Sequence, residues 1–139
     1  MFDTMEEKRY RNPALTVDGV LVQDGNILLI RRGRPPFTGQ HALPGGFVDY
    51  GETVESAVMR EMREETGLLT RVSGLLGVYS DPSRDPRGHT VSVVFIVEMV
   101  GGVLQAGDDA AAASWFPLDD LPPLAFDHAR IVSDYVSTL

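Results

Sequence analysis

A chain of 139 residues, 43% hydrophobic and 23% charged, has the size and composition of one globular domain, read as 1–139, that buries roughly two-thirds of its unfolded surface. A net charge of −8 excludes a general nucleic-acid binder, which needs a basic face, and any site for an anion must then reverse the field locally. With no cysteine there is no disulfide or thiolate chemistry and a reducing cytoplasm is the expected setting, while the lack of a membrane-length apolar run and of a basic signal-peptide start excludes membrane partners.

Residues 1–13 are polar and mixed in charge, and read as an extended arm or a short edge strand. Residues 14–22 form a predicted strand, 23–26 (QDGN) a hairpin turn and 27–32 the returning strand. Arg31, Arg32 and Arg34 cluster where that strand ends. They read either as solvated charge or as phosphate contacts, Arg31 and Arg32 being the substrate candidates. Residues 33–39 (GRPPFTG) are a loop by their punctuation, and 41–46 (HALPGG) end in paired glycines that let the backbone pass close to a ligand.

A helix follows. Thr53 is a plausible N-cap, Glu55 places a negative charge in the first turn, and Gly67 stops the helix. Val54, Ala57, Val58 and Met62 form an apolar stripe at three- and four-residue steps. Glu61 and Glu65 project within about 40° of the centre of that stripe, and Glu64 lies beside it. Carboxylates so close to a buried face repel one another and are costly to desolvate. They read either as an acidic helix end partnered by Arg60 and Arg63, or as ligands of a hard divalent cation, Mg²⁺ or Mn²⁺.

The remaining chain gives a strand at 70–79, a polar loop at 80–88 (SDPSRDPRG) and the most strand-like segment at 89–100, expected to be central in a sheet. A turn is expected at Gly101-Gly102, a loop through Gly107-Asp108-Asp109 and the four alanines after it, and a short strand at 113–117. Residues 118–124 form a proline-bounded connection and 125–139 an amphipathic helix. Strands on either side of one helix, closed by another helix, predict an α/β fold with a mixed sheet covered on both faces.

Gly46, Glu52 and the run Arg60-Glu61-Met62-Arg63-Glu64-Glu65-Thr66-Gly67-Leu68 fill every fixed position of a 23-residue pattern, G-x5-E-x7-R-E-U-x-E-E-x-G-U with U apolar. This resembles the complete Nudix box. The resemblance covers essentially the whole chain and implies an α/β/α sandwich and a Mg²⁺-dependent hydrolase of nucleoside diphosphates linked to another moiety. It implies that Glu61, Glu64, Glu65 and the Gly45 carbonyl hold the metal, that Glu52 supports them and that Arg60 orients them. His41 stands where family members often carry an aromatic residue, and a structural role is expected for it. The general base varies within the family. Asp109 is the candidate here, with Asp108 beside it and Glu98 a lesser choice, although Gly-Asp-Asp is also ordinary turn chemistry.

Pro82 lies fifteen residues after Gly67, an offset similar to that of the ADP-ribose pyrophosphatases. That resemblance implies hydrolysis of ADP-ribose to AMP and ribose 5-phosphate. Arg84 and Arg87 would contact phosphate or the terminal ribose, Asp85 a ribose hydroxyl, and Phe37 or Tyr79 the adenine. On the other reading, Pro82 and Pro86 shape a loop and the arginines offset local acids. The alternatives are a nucleoside triphosphate pyrophosphatase acting on oxidised nucleotides and a non-catalytic nucleotide sensor. The second usually comes with a degraded box or an added DNA-binding domain. A homodimer is expected by resemblance.

Overall fold

The computed structural model describes residues 10–105 and 110–139. The first sheet has the order β5 (Gly45–Phe47), β1 (Ala14–Val20), β7 (Thr90–Gly102), β6 (Leu68–Tyr79). Strand β1 runs parallel to β7 and antiparallel to β5, and β6 pairs antiparallel with the far side of β7. The β-branched run at 91–97 therefore lies between two neighbours, as its composition requires. The second sheet is built on β3 (Asn26–Arg32), which pairs with β2 (Val22–Gln23), β4 (His41–Ala42) and β8 (Ala110–Pro117). Asp24 and Gly25 both have positive φ, 52° and 77°, which suits the tight turn between β2 and β3.

Helix α1 (Val54–Thr66) is capped as its sequence predicts. The Thr53 side chain accepts from the Ser56 N–H, and Gly67 ends the helix in the left-handed region at φ 76°. Ala57, Val58 and Met62 are buried with Val17, Leu28, Phe95 and Val97 on one side of the sheets. Helix α2 (His128–Val136) buries Ile131, Val132 and Tyr135 with Val20, Leu29 and Val94 on the other. Val20 and Val94 thus face α2, while Val17 and Phe95 face α1. This is the period-two alternation of strands sandwiched between helices. Full burial of a side chain such as Met62 contributes about 1.5–3 kcal/mol.

Three expectations are corrected. Gly101 and Gly102 do not turn the chain; they pair with Leu69 and Leu68 at the end of β7. Ala110 and the alanines after it belong to β8, where pairing with β3 outweighs their low strand propensity. Helix α2 starts at His128 rather than at residue 125, because Phe126 has φ 56° and breaks the helical path. No helix among the described residues is long and apolar enough to cross a membrane.

Candidate active site

Period-two geometry brings chemistry from β1, β3 and β5 to one place. Ile30 and Arg32 face a cleft, whereas Arg31, one residue out of phase, is exposed outside it. The cleft is also lined by Thr16, Asp18, Gly45, Gly46, Phe47, Glu65, Arg84, Asp85, Arg87, Thr90, Phe126 and His128. The lining thus combines the glycines and a glutamate of the motif with Arg32 and the 84–87 loop.

At the acidic wall, all five guanidinium hydrogens of Arg60 have acceptors. Nε and one Nη2 hydrogen reach the Glu52 carboxylate at 2.7 and 2.9 Å. Nη1 reaches Glu61 at 2.8 Å and Glu64 at 3.1 Å, and the second Nη2 hydrogen goes to the Phe47 carbonyl at 3.1 Å. The Arg60 hydrogen bond, with help from the Asp49 N–H, holds the Glu52 carboxyl down at about 2. The Glu65 carboxylate accepts from the Gly45 N–H at 3.4 Å. A Cβ on Gly46 would lie 2.6 Å from the Glu61 carboxylate, and one on Gly45 would collide with the Val17 carbonyl and the Asp18 carboxylate. Only glycine lets this strand pass beneath the helix.

Glu61 and Glu64, ordered by Arg60, and Glu65, held by the Gly45 N–H, are hard oxygen donors beside a bare backbone, a donor set that fits Mg²⁺ or Mn²⁺. Among the described residues no three acidic or histidine side chains form a closed cage; Glu61 and Glu64 turn toward Arg60. Asp109 and Asp108 lie outside the described residues. Glu98, an exposed side chain on β7, pairs with Arg71 at 2.7 Å and does not line the cleft.

Arg84 is a strut. Its side chain is only 4% exposed, it grips Asp127 through Nε and Nη2 at 2.9 and 2.7 Å, and it donates to Thr90 at 2.9 Å. Asp85 is buried and accepts twice from the Arg87 guanidinium and once from the Arg87 N–H. Burial works to raise the Asp85 carboxyl, but those hydrogen bonds outweigh it and hold it below the usual range. Arg32 donates to the Pro36 carbonyl at 2.6 Å and lies 5.0 Å from the Phe126 ring centre. Burial lowers its pKa, and the neighbouring Arg87 charge lowers it further. Two positive side chains therefore converge on one end of an acidic protein's cleft.

Neither of the aromatic candidates for adenine lines the cleft. Tyr79 donates to Asp134 at 2.7 Å elsewhere, and Phe37 packs edge-on against Phe126 with ring centres 4.9 Å apart. Phe126 and Phe47 line it instead. His41 packs edge-on against Phe116 at 4.9 Å, consistent with a structural residue.

The floor holds a buried pair that sequence reasoning missed. Asp18 accepts from the Ser92 hydroxyl and lies 3.8 Å from His128 Nε2. His128 Nδ1 accepts the Leu43 N–H at 3.0 Å, so Nδ1 is unprotonated and the ring is neutral. Burial pushes the Asp18 carboxyl up to about 7 and the His128 imidazole down to about 3. The signal in the sequence is one acid inside the apolar run TVDGVLV.

The NUDIX domain family model matches residues 12–135. The chain is 57% identical over 134 residues to the ADP-ribose pyrophosphatase of Methanocaldococcus jannaschii, covering 96% of this chain and 79% of that protein. It is 38% identical over 109 residues to a MutT-like protein of Streptomyces ambofaciens, 78% of this chain and 66% of that one. Among solved structures, the NUDIX domain of Shewanella oneidensis NrtR complexed with ADP ribose aligns with a TM-score of 0.83 at 30% identity, covering 99% and 98% of the two chains.

Proposed function

The chain belongs to the Nudix family, and on that premise we propose that this hydrolase cleaves ADP-ribose to AMP and ribose 5-phosphate with Mg²⁺, or Mn²⁺ as a substitute. The observation that carries the substrate reading is one cleft lined by Glu65 and the Gly45–Gly46 backbone together with Arg32, Arg87 and Phe126. A diphosphate with a nucleoside on one side and a sugar on the other needs acidic metal ligands and cationic phosphate contacts together.

In this reading Glu61, Glu64, Glu65 and the Gly45 carbonyl hold the metal. When bound, the metal would supply Lewis-acid charge and a nucleophilic water for attack on phosphorus. Arg60 positions Glu61 and Glu64 through the contacts described above, and the Gly45 N–H orients Glu65. Arg32 and Arg87 neutralise non-bridging phosphate oxygens, and Asp85 aims Arg87. Arg84 acts at one remove by tying the 84–87 loop to Asp127. Asp109 is retained as the general base; it adjoins Ala110, which pairs with Arg32. Arg31 is left out of the site because it points away from the cleft.

A homodimer accompanies this reading, since β6 is an edge strand with Leu69, Leu75 and Val78 exposed. The lack of cysteine favours a cytoplasmic setting.

The test is incubation with Mg²⁺ and a panel of ADP-ribose, NADH, dGTP and 8-oxo-dGTP, with products followed by phosphorus NMR and Glu65→Gln as control. AMP and ribose 5-phosphate from ADP-ribose, lost in the control, are expected. Pyrophosphate from a triphosphate with ADP-ribose untouched would overturn the substrate assignment. Turnover of nothing, with metal bound, would overturn the enzymatic reading.

A further inference from the structure

Period two puts consecutive side chains of β5 on opposite faces. The missing side chain of Gly46 faces the Glu61 carboxylate on α1, so Phe47, the next residue, turns the other way and lines the cleft. Its side chain is left half-exposed there. The nearest charge is a cation: the central carbon of the Arg87 guanidinium lies over the Phe47 ring, 5.3 Å from its centre, against 5.7 Å for Phe126. The backbone of the same residue meets the other cation of the centre, since the Phe47 carbonyl accepts from Arg60 Nη2 at 3.1 Å.

We propose that Phe47 is a positioning residue: its ring steadies the Arg87 guanidinium for the diphosphate and ties it to the strand whose carbonyl Arg60 grips. This rests on the assignment of Arg87 to the phosphates. Asp85 takes the Arg87 Nε hydrogen at 3.1 Å and one Nη2 hydrogen at 2.8 Å. Both Nη1 hydrogens and the second Nη2 hydrogen then have no acceptor among the described residues, and phosphate oxygens would fill them. Asp85 holds only one edge of the guanidinium, and the side chain is 44% exposed, so the group can still swing about that edge. A ring against the cation opposes that swing without using a hydrogen, because the attraction comes from the face of the ring. An aliphatic side chain would fill the space without that attraction. The strand itself does not depend on the ring: the Gly19 N–H holds the Pro44 carbonyl at 2.9 Å, and the Val48 N–H reaches the Leu15 carbonyl at 3.0 Å.

The test is a double-mutant cycle read by calorimetry at equilibrium, with Mg²⁺ present. The probe is α,β-methylene ADP, a diphosphate that cannot be cleaved at its bridge. Arg87→Met is expected to weaken it by about 10- to 100-fold. Phe47→Leu is expected to weaken it by about 2- to 5-fold while Arg87 is present, and by no more than about 1.5-fold in the Arg87→Met background. Phe47→Tyr, which keeps the ring, is expected to bind within about 1.5-fold of wild type. A ring with a merely structural role would give the same loss in both backgrounds. That result overturns the inference and leaves Arg87 as a phosphate contact. No effect of Arg87→Met, or no binding by wild type, overturns the phosphate assignment and the inference with it. If Phe47→Leu does not fold, Phe47→Trp takes its place in the cycle. The better ring for a cation should tighten the probe only while Arg87 is present, and an equal effect or none in both backgrounds overturns the inference. Full coupling with no hydrolysis of ADP-ribose would leave the positioning role standing and sink the substrate assignment.

Discussion

Replacing Asp18 with asparagine should add a pH-dependence to stability between about pH 4.5 and about pH 6 that wild type does not share. Burial pushes the Asp18 carboxyl from 3.8 up to about 7 and the His128 imidazole from 6.5 down to about 3. Within that window the folded pair is a carboxylic acid beside a neutral imidazole, while the unfolded pair is a carboxylate and an imidazolium. Both states hold the same number of protons. A raised acid loses stability as pH climbs from its unfolded toward its folded value, and a lowered base gains stability as pH climbs toward its unfolded value, so the two slopes cancel. Asp18→Asn removes the first slope only. At ~1.36 kcal/mol per pH unit, the variant should gain about 2 kcal/mol relative to wild type between about pH 4.5 and about pH 6. His128→Gln, whose amide oxygen can still receive the Leu43 N–H, should lose about 2 kcal/mol over the same interval. Urea denaturation of wild type, both single variants and the double variant measures this, since all other carboxylates cancel in the differences. Mirror-image slopes with a flat double variant are expected. Four parallel profiles would refute a buried neutral pair.

Gly46→Ala should place a methyl group 2.6 Å from the Glu61 carboxylate, lowering kcat/KM by about 100-fold while costing only about 1–3 kcal/mol of stability; kinetics alongside a thermal melt separates the two. Arg84→Met should cost about 3 kcal/mol, because it strands the Asp127 carboxylate; a urea midpoint unchanged from wild type would show that the strut holds nothing. Mg²⁺ at about 100 times its Kd should stabilise the fold by about 2.7 kcal/mol, and Glu61→Gln and Glu65→Gln should blunt the rise in Tm.

Local signals carried well from sequence to structure. Thr53, the Ala57–Val58–Met62 stripe and Gly67 specify α1 by contacts within one or two turns, and they appear where expected. The alanines of β8 failed because Ala-Ala-Ala-Ala has no period and little strand preference; pairing with Ile30 and Arg31 decides their state. Gly101 and Gly102 failed for a related reason, since the φ of 87° at Gly102 serves close passage over Gly67 rather than a turn. Among the site residues, Arg32, Asp85 and Arg87 were readable as charges near loops. Asp18 was not, because the hydroxyl that satisfies it belongs to Ser92, 74 residues away. Phe126 falls within the expected helix at 125–139, and nothing local announces that the backbone turns left-handed there.

The corner from Ala125 to His128 also sets a clock. It receives the Leu43 N–H across 85 residues of chain and grips Arg84 across 43. At a synthesis rate of about 5–20 residues per second, His128 is made about 4–17 s after Leu43. Arg32, the glutamates of α1 and the 84–87 loop are all made before this corner, so the cleft stays open at its Phe126 side until the last of its lining arrives. The corner is thus the last part of the lining to leave the ribosome, and the ties it makes to Leu43 and Arg84 close the cleft only then.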